Sequence, residues 1–458
     1  MTPEAAIQPD RRRWWPYALL VGLPVAFSLT WLLVVNPASP GLAIEALAGP
    51  ARGPASDVAV LLAQLAVILV VTRLVGRLFL LVGQPQVVGE MATGLLLGPT
   101  LFGAFAPVWS GMLFPARTLG SLQAISQVGL VLFMFLVGLE LDFSLLRGRR
   151  QAALSAATGA LVIPFALGVA LATWLFTSYG VAGVSFTSFA LFVGVAMSAT
   201  AFPVLARILK DAGLMRTPLG ATALSSAAFI DVVVWIALAT VVAIVNAQGD
   251  AHALWRTLGA SALYVAVMVW LVRPLLARLF ARQTTVLSHD WLAAVLGLVL
   301  CSAMATEWVG VHVSFGAFMA GAIVPRGAGP AEALVARLED VTLVLFLPLF
   351  FVLTGLRTDI RALIAPGAAL AFVAVIAVAA GGKLVGTWIG ARIAGTPSPE
   401  ARMLGVLMNT RGLMELVILN IGLDIGVIPR PLFTMFVLMA IITTGMTSPL
   451  LRAHRRPA

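Results

Sequence analysis

The chain has 458 residues, 60% of them apolar and only 10% charged, which leaves too little polar surface to clothe a water-soluble globule of this size. The formal net charge of +10 comes from basic residues scattered between apolar runs rather than gathered on one face with polar or aromatic readers, which excludes nucleic acid as a partner. Cys301 is the only cysteine and the four histidines have no ligand spacing, so intrachain disulfides and multi-cysteine metal centres are excluded as well.

In chain order, Arg11-Arg12-Arg13-Trp14-Trp15-Pro16 precedes an apolar run that reaches Val35. The run is long for a signal sequence, and Pro37-Ala38-Ser39-Pro40 is a poor cleavage site, so a retained first span is predicted. Residues 1–56 thus read as a tail, an extra helix and a loop. Further apolar windows lie near 58–80, 86–103, 119–139, 152–174, 185–206, 217–245, 254–277, 290–308, 311–325, 341–356, 367–392, 402–423 and 431–451. Each is read as a span of a hydrocarbon core, which predicts an all-α polytopic membrane protein with about fourteen transmembrane helices. Residues 57–451 form the transmembrane domain and 452–458 a short tail.

Loop charge supports this threading. Most of the 29 basic residues, among them Arg73, Arg77, Arg147, Arg207, Lys210, Arg278, Arg326 and Arg392, fall on one side, with Arg52, Arg117, Arg256, Arg357, Arg361 and Arg430 on the other. The positive-inside rule then places both termini in the cytoplasm of a multi-pass inner (plasma) membrane protein. The high pI is a topology signal, and membrane lipid is the partner it implies.

From residue 58 onward the spans divide into two sets of six around the helix at 254–277. The fifth member of each set is interrupted, by Ser198-Ala199-Thr200-Ala201-Phe202-Pro203 and by Asn409-Thr410-Arg411-Gly412. Paired interrupted helices point to inverted repeats, with ion-binding carbonyls and helix ends freed near the midplane.

Charges at membrane depth are functional candidates because of their insertion cost. Asp231 lies mid-span in Ala223-Leu224-Ser225-Ser226-Ala227-Ala228-Phe229-Ile230-Asp231-Val232. A carboxylate there binds a proton or a monovalent metal cation in competition, which suffices for exchange. Thr200 and Ser226 are candidate neutral oxygen ligands beside it. Lys383, one of two lysines, sits within 367–392. Arg411 and Glu415 are spaced to pair on one helix face. Glu90 opens the third span near the cytoplasmic side, and Glu307 reads as a solvated helix end. Gly327-Ala328-Gly329 follows no strand and lacks a phosphate-loop lysine, so nucleotide-driven pumping is not supported.

The strings GQPQVVGEMATGLLLGPTLFG, VGLVLFMFLVGLELD, AMSATAFPVLARILKDAGL, ALSSAAFIDVVVW and NTRGLMELVILNIGLDIGVI resemble the second branch of the monovalent cation:proton antiporters, over about residues 57–450. The resemblance implies the sodium/proton antiporter fold: a dimer whose dimerisation helices hold still while a core bundle of six helices moves in an elevator-like way, with two broken helices crossing beside the aspartate. It implies a secondary transporter, not an enzyme, that exchanges Na⁺ or K⁺ for H⁺ without a cofactor. By position Asp231 matches the family's ion-binding aspartate, Thr200 the residue of the first break and Lys383 the lysine that faces the site. Glu90 and Arg411 match recurrent positions.

Electrogenic members carry two adjacent aspartates, whereas this chain has Ile230 before Asp231. One carboxylate predicts electroneutral 1:1 exchange and leaves Lys383 without that partner. The nucleotide-sensing domain of potassium efflux systems is not expected. Alternatives are a same-fold transporter of an organic anion or ionophore, and a membrane sensor that does not transport.

Overall fold

Residues 56–140, 150–215, 217–247, 249–280, 289–325 and 329–455 are described in a computed structural model, and among them the chain is helical between short turns. The predicted first span at 16–35 and nearly all of segment 1–56 lie outside the described residues. Every later apolar window forms helix. The first set of six comprises α1 (Asp57–Leu81), α2 (Gln86–Leu97), α3 (Ala116–Glu140), α4 (Arg150–Tyr179), the interrupted α5 (α5a, Phe186–Ser198; α5b, Phe202–Asp211) and α6 (Pro218–Ala247). After α7 (Ala251–Phe280) come α8 (His289–Val309), α9 (Val313–Ala322) and α10, built from Gly329–Val341 and Leu347–Leu356 around a π turn. The set ends with α11 (Ala368–Ile393), the interrupted α12 (α12a, Ser398–Met408; α12b, Leu413–Asp424) and α13 (Arg430–Arg455).

Among the described residues, 11 helices are long and apolar enough to cross a membrane, and the two parts of α12, bent by 46° at their break, make a twelfth. The window at 311–325 differs from expectation. Gly310, at φ +91°, reverses the chain after α8, and α9 has only 10 residues, about 15 Å of helix against a core of about 30 Å. The span expected over 86–103 is present as Gln86–Phe105, with its helix interrupted after Leu97 by Gly98-Pro99 and resumed at Phe102–Phe105. At the other end α13 runs to Arg455, so most of the predicted tail at 452–458 is helix.

Because α7 is a single helix between two sets of six, the second set runs opposite to the first. Close packing repeats this relation. A Cβ on Gly94 of α2 would strike the Phe351 carbonyl of α10 beside Gly355, and a Cβ on Gly321 of α9 would strike the Phe135 carbonyl of α3 beside Gly138. The fourth helices, α4 and α11, form the most extensive helix pair, with Gly159 against the Gly386 carbonyl. Small residues let helices approach where no hydrophobic force drives them together in lipid. The chain therefore has an inverted-repeat architecture. Helices α4–α6 and α11–α13 pack as a core, and α1–α3 with α8–α10 pack as a second group joined through the glycine crossings.

Candidate ion-binding site

The ends of α5a and α5b are opened by Ala199, Thr200 and Ala201, whose backbone leaves the helical region at Ala199 (ψ 143°) and Ala201 (ψ 97°). Pro203 lacks the N–H that would continue the helix across the gap. The gap in α12 falls at Asn409–Gly412. The two gaps touch: the Ala201 N–H donates to the Thr410 carbonyl at 3.2 Å, and Thr200 Oγ1 donates to the Met408 carbonyl at 3.4 Å. A Cβ at Gly412 would come within 2.7 Å of Val204 Cγ2, so glycine is what lets the breaks cross this closely.

Each exposed helix end meets the charge it prefers. At the C-terminal end of α5a, Lys383 Nζ donates to the Ser198 carbonyl at 2.5 Å and to Thr200 Oγ1 at 2.6 Å. Arg411 donates to the Ala196 carbonyl at 3.0 Å and the Met197 carbonyl at 2.7 Å. At the N-terminal end of α5b, the Asp231 carboxylate lies against the Phe202 N–H. Asp231 is 1% exposed, and its Oδ2 has no hydrogen-bond partner.

Lys383 and Asp231 therefore bind opposite sides of the same break, and no ion pair joins them. The expected pair of Arg411 with Glu415 is present at 2.9 Å, fully buried. It does more than neutralise itself, since the guanidinium also bridges α12 to α5a. Around the crossing, Asn409 Oδ1, Thr410 Oγ1 and Glu415 Oε2 are buried without partners, as is Asp231 Oδ2. Hard monovalent cations take oxygen ligands, so Asp231 Oδ2 with the neutral oxygens of Thr200, Asn409 and Thr410 is the donor set on offer. Among the described residues no group of three or more His, Cys, Asp and Glu is placed to hold a metal ion.

The remaining sequence candidates are placed elsewhere. Ser226 Oγ donates to the Ala153 carbonyl of α4 at 2.9 Å and to the Thr222 carbonyl at 2.8 Å, so its described bonds tie α6 to α4 and not to Asp231. Glu90, 4% exposed, accepts from Gln86 Nε2 at 2.9 Å and lines a cavity of about 700 Å³ between the two helix groups, where Val204 and Leu413 at the starts of α5b and α12b also contribute. Glu307 is exposed, as expected of a helix end. Sequence reasoning missed Thr444, whose Oγ1 accepts from the Arg411 N–H at 3.0 Å and donates to the Arg411 carbonyl at 2.7 Å, and Thr443, whose carbonyl accepts from Asn409 Nδ2 at 3.2 Å. The signal was a Thr-Thr pair mid-way along an apolar helix.

The chain matches the family model described as sodium/hydrogen exchanger, transmembrane, over residues 65–453. It is 42% identical over 393 residues to the Na(+)/H(+) antiporter NhaS4 of Synechocystis sp. (strain ATCC 27184 / PCC 6803 / Kazusa), covering 85% of this chain and 96% of that protein. It is 34% identical over 405 residues to the K(+)/H(+) antiporter 1 of Saccharomyces cerevisiae (strain ATCC 204508 / S288c), covering 86% of this chain and 46% of that longer protein. The solved structure of the sodium proton antiporter MjNhaP1 from Methanocaldococcus jannaschii at pH 8 superposes with a TM-score of 0.62 at 15% identity, over 87% of this chain and 97% of that one. That likeness carries the fold alone. The extent of the match and the identity to a full-length relative establish that this chain belongs to the sodium/hydrogen exchanger family of multi-pass membrane transporters.

Proposed function

We propose that the chain exchanges a monovalent cation, Na⁺ or K⁺, for H⁺, with Asp231 binding the two in turn. The observation that carries this is a fully buried carboxylate with one free oxygen at the crossing of two broken helices. A proton or a cation neutralises Asp231 equally well, and a bare carboxylate at this depth is the costly state. The core then crosses only when loaded, which couples the two flows. Among relatives, NhaS4 is named a Na⁺/H⁺ antiporter, and GerN of Bacillus cereus, 29% identical over 392 residues, a Na⁺/H⁺-K⁺ antiporter.

One carboxylate supports a 1:1 electroneutral cycle, because Ile230 is buried and Lys383 spends its protons on Ser198 and Thr200. Movement of α4–α6 with α11–α13 past α1–α3 and α8–α10 is the elevator-like step this reading requires, and the open seam between the groups supports it. We also place the protein in the inner membrane as a homodimer in lipid, with both termini and the cavity mouth in the cytoplasm. Arg73, Arg207 and Lys210 at that mouth follow the positive-inside rule.

The test is pH-gradient dequenching in proteoliposomes on addition of Na⁺, K⁺, Li⁺ or Rb⁺. Proton efflux with one or more of these cations is expected, without current under an imposed voltage. The absence of any cation response refutes exchange, and a voltage-scaled current refutes the 1:1 cycle alone.

A further inference from the structure

The seam between the core and the surrounding helices carries charge of opposite sense at its two ends. At the outer end it is shut. Arg357, at the C-terminus of α10, donates through Nη1 to Asn420 Oδ1 at 3.0 Å and to Asp424 Oδ1 at 2.8 Å, both on α12b of the core. The crevice beneath holds about 30 Å³, room for roughly one water.

At the inner end the seam is open as the cavity of about 700 Å³. Glu90, Glu140, Glu339 and Asp340 project from α2, α3 and α10 on one wall, and Arg207 and Lys210 from α5b on the other. Arg73 and Asp211 are the minority charges of their walls. Arg207 already reaches across to Gln86 Oε1 at 2.9 Å, but no ion pair joins Glu140 to Lys210 among the described residues.

The repeat relation connects the two ends. Gly138 and Gly355 occupy corresponding crossings, so Glu140 and Arg357, each two residues further on, lie at the corresponding ends of α3 and α10 with reversed charge. Likewise α5b, which bears Lys210, is the counterpart of α12b, which bears Asp424. The outer pair is basic on the scaffold and acidic on the core, and the inner pair is the reverse.

Resting on the exchange reading above, we propose that these are alternating latches: Arg357 with Asp424 and Asn420 holds the outer end closed while the inner end is open, and Glu140 with Lys210 closes the inner end once the core has moved outward. These are positioning residues that set the balance between the two states without touching the cargo. Partly exposed ion pairs suit the task, because a weak bias shifts two states of similar energy without trapping either.

The experiment uses the full chain with Cys301→Ser, carrying Glu140→Cys and Lys210→Cys, treated in liposomes with a short reducible bis-methanethiosulfonate. Cross-linking is expected, with loss of exchange that reductant restores. Adding Asp424→Asn is expected to speed cross-linking roughly fivefold by freeing the outer latch. In the same background, the charge swap Arg357→Asp with Asp424→Arg is expected to return the rate to its starting value. No cross-link in protein that still exchanges, or a rate indifferent to Asp424→Asn, overturns the proposal. Cross-linking is read without cation flux, so a latch that behaves as described in protein that never couples cations to protons counts against the exchange reading instead.

Discussion

The two breaks cross, yet they are satisfied by different chemistry. The ends of α5 are held by formal charges, with Lys383 and Arg411 on the carbonyls of α5a and Asp231 on the first N–H of α5b. The gap in α12 is held mostly by neutral groups: Thr444 takes both backbone groups of Arg411, Asn409 reaches the Thr443 carbonyl, and Thr200 and Ala201 bond to the Met408 and Thr410 carbonyls. The neutral groups of the α12 break can offer oxygen ligands but no charge to exchange with an incoming ion, whereas the ionic α5 break offers one. On the exchange reading proposed above, the α5 break is the working half of the crossing, and the α12 break is its support.

Removing the charge that works separates the halves most sharply. Asp231→Asn keeps the size of the side chain and an acceptor for the Phe202 N–H, so cation-driven proton flux should vanish while thermal unfolding stays near that of the parent. Flux in this variant would move the ion site elsewhere. Arg411→Ala should do the reverse in kind, because it strands the Glu415 carboxylate and two α5a carbonyls in the interior. A loss of about 3–5 kcal/mol in stability is expected, read as a lower unfolding temperature, and Glu415→Ala in the same chain should recover part of it.

A smaller effect is expected from Thr444→Val, which unseals the α12 break without touching charge. It should cost about 1–3 kcal/mol through the unpaired Arg411 N–H, with the apparent cation KM unchanged. Lys383→Met tests the other side. The ammonium holds the Ser198 and Thr200 oxygens that face the site and repels an arriving cation, so its removal should lower the apparent cation KM by about tenfold. An increased KM would mean that Lys383 assists binding and does not compete with it.

The sequence by itself determined the membrane class, twelve of the thirteen later segments as full-length spans, the inverted-repeat division and the places of both breaks. These follow from local quantities: run length against bilayer thickness, the cost of charge in lipid, and the effect of Pro and Gly on helix continuity. It also placed Asp231 and the Arg411–Glu415 pair, since an i, i+4 spacing fixes neighbours on one helix. The tertiary structure alone decided that α9 is a half-length helix, that Ser226 faces α4, that Lys383 bonds to the α5 break and not to Asp231, and that Arg411 bridges from one repeat to the other. Those outcomes depend on which helix ends lie side by side after the two repeats interlock, and spacing along one chain holds no information about that until glycine crossings such as Gly159 against Gly386 fix the register.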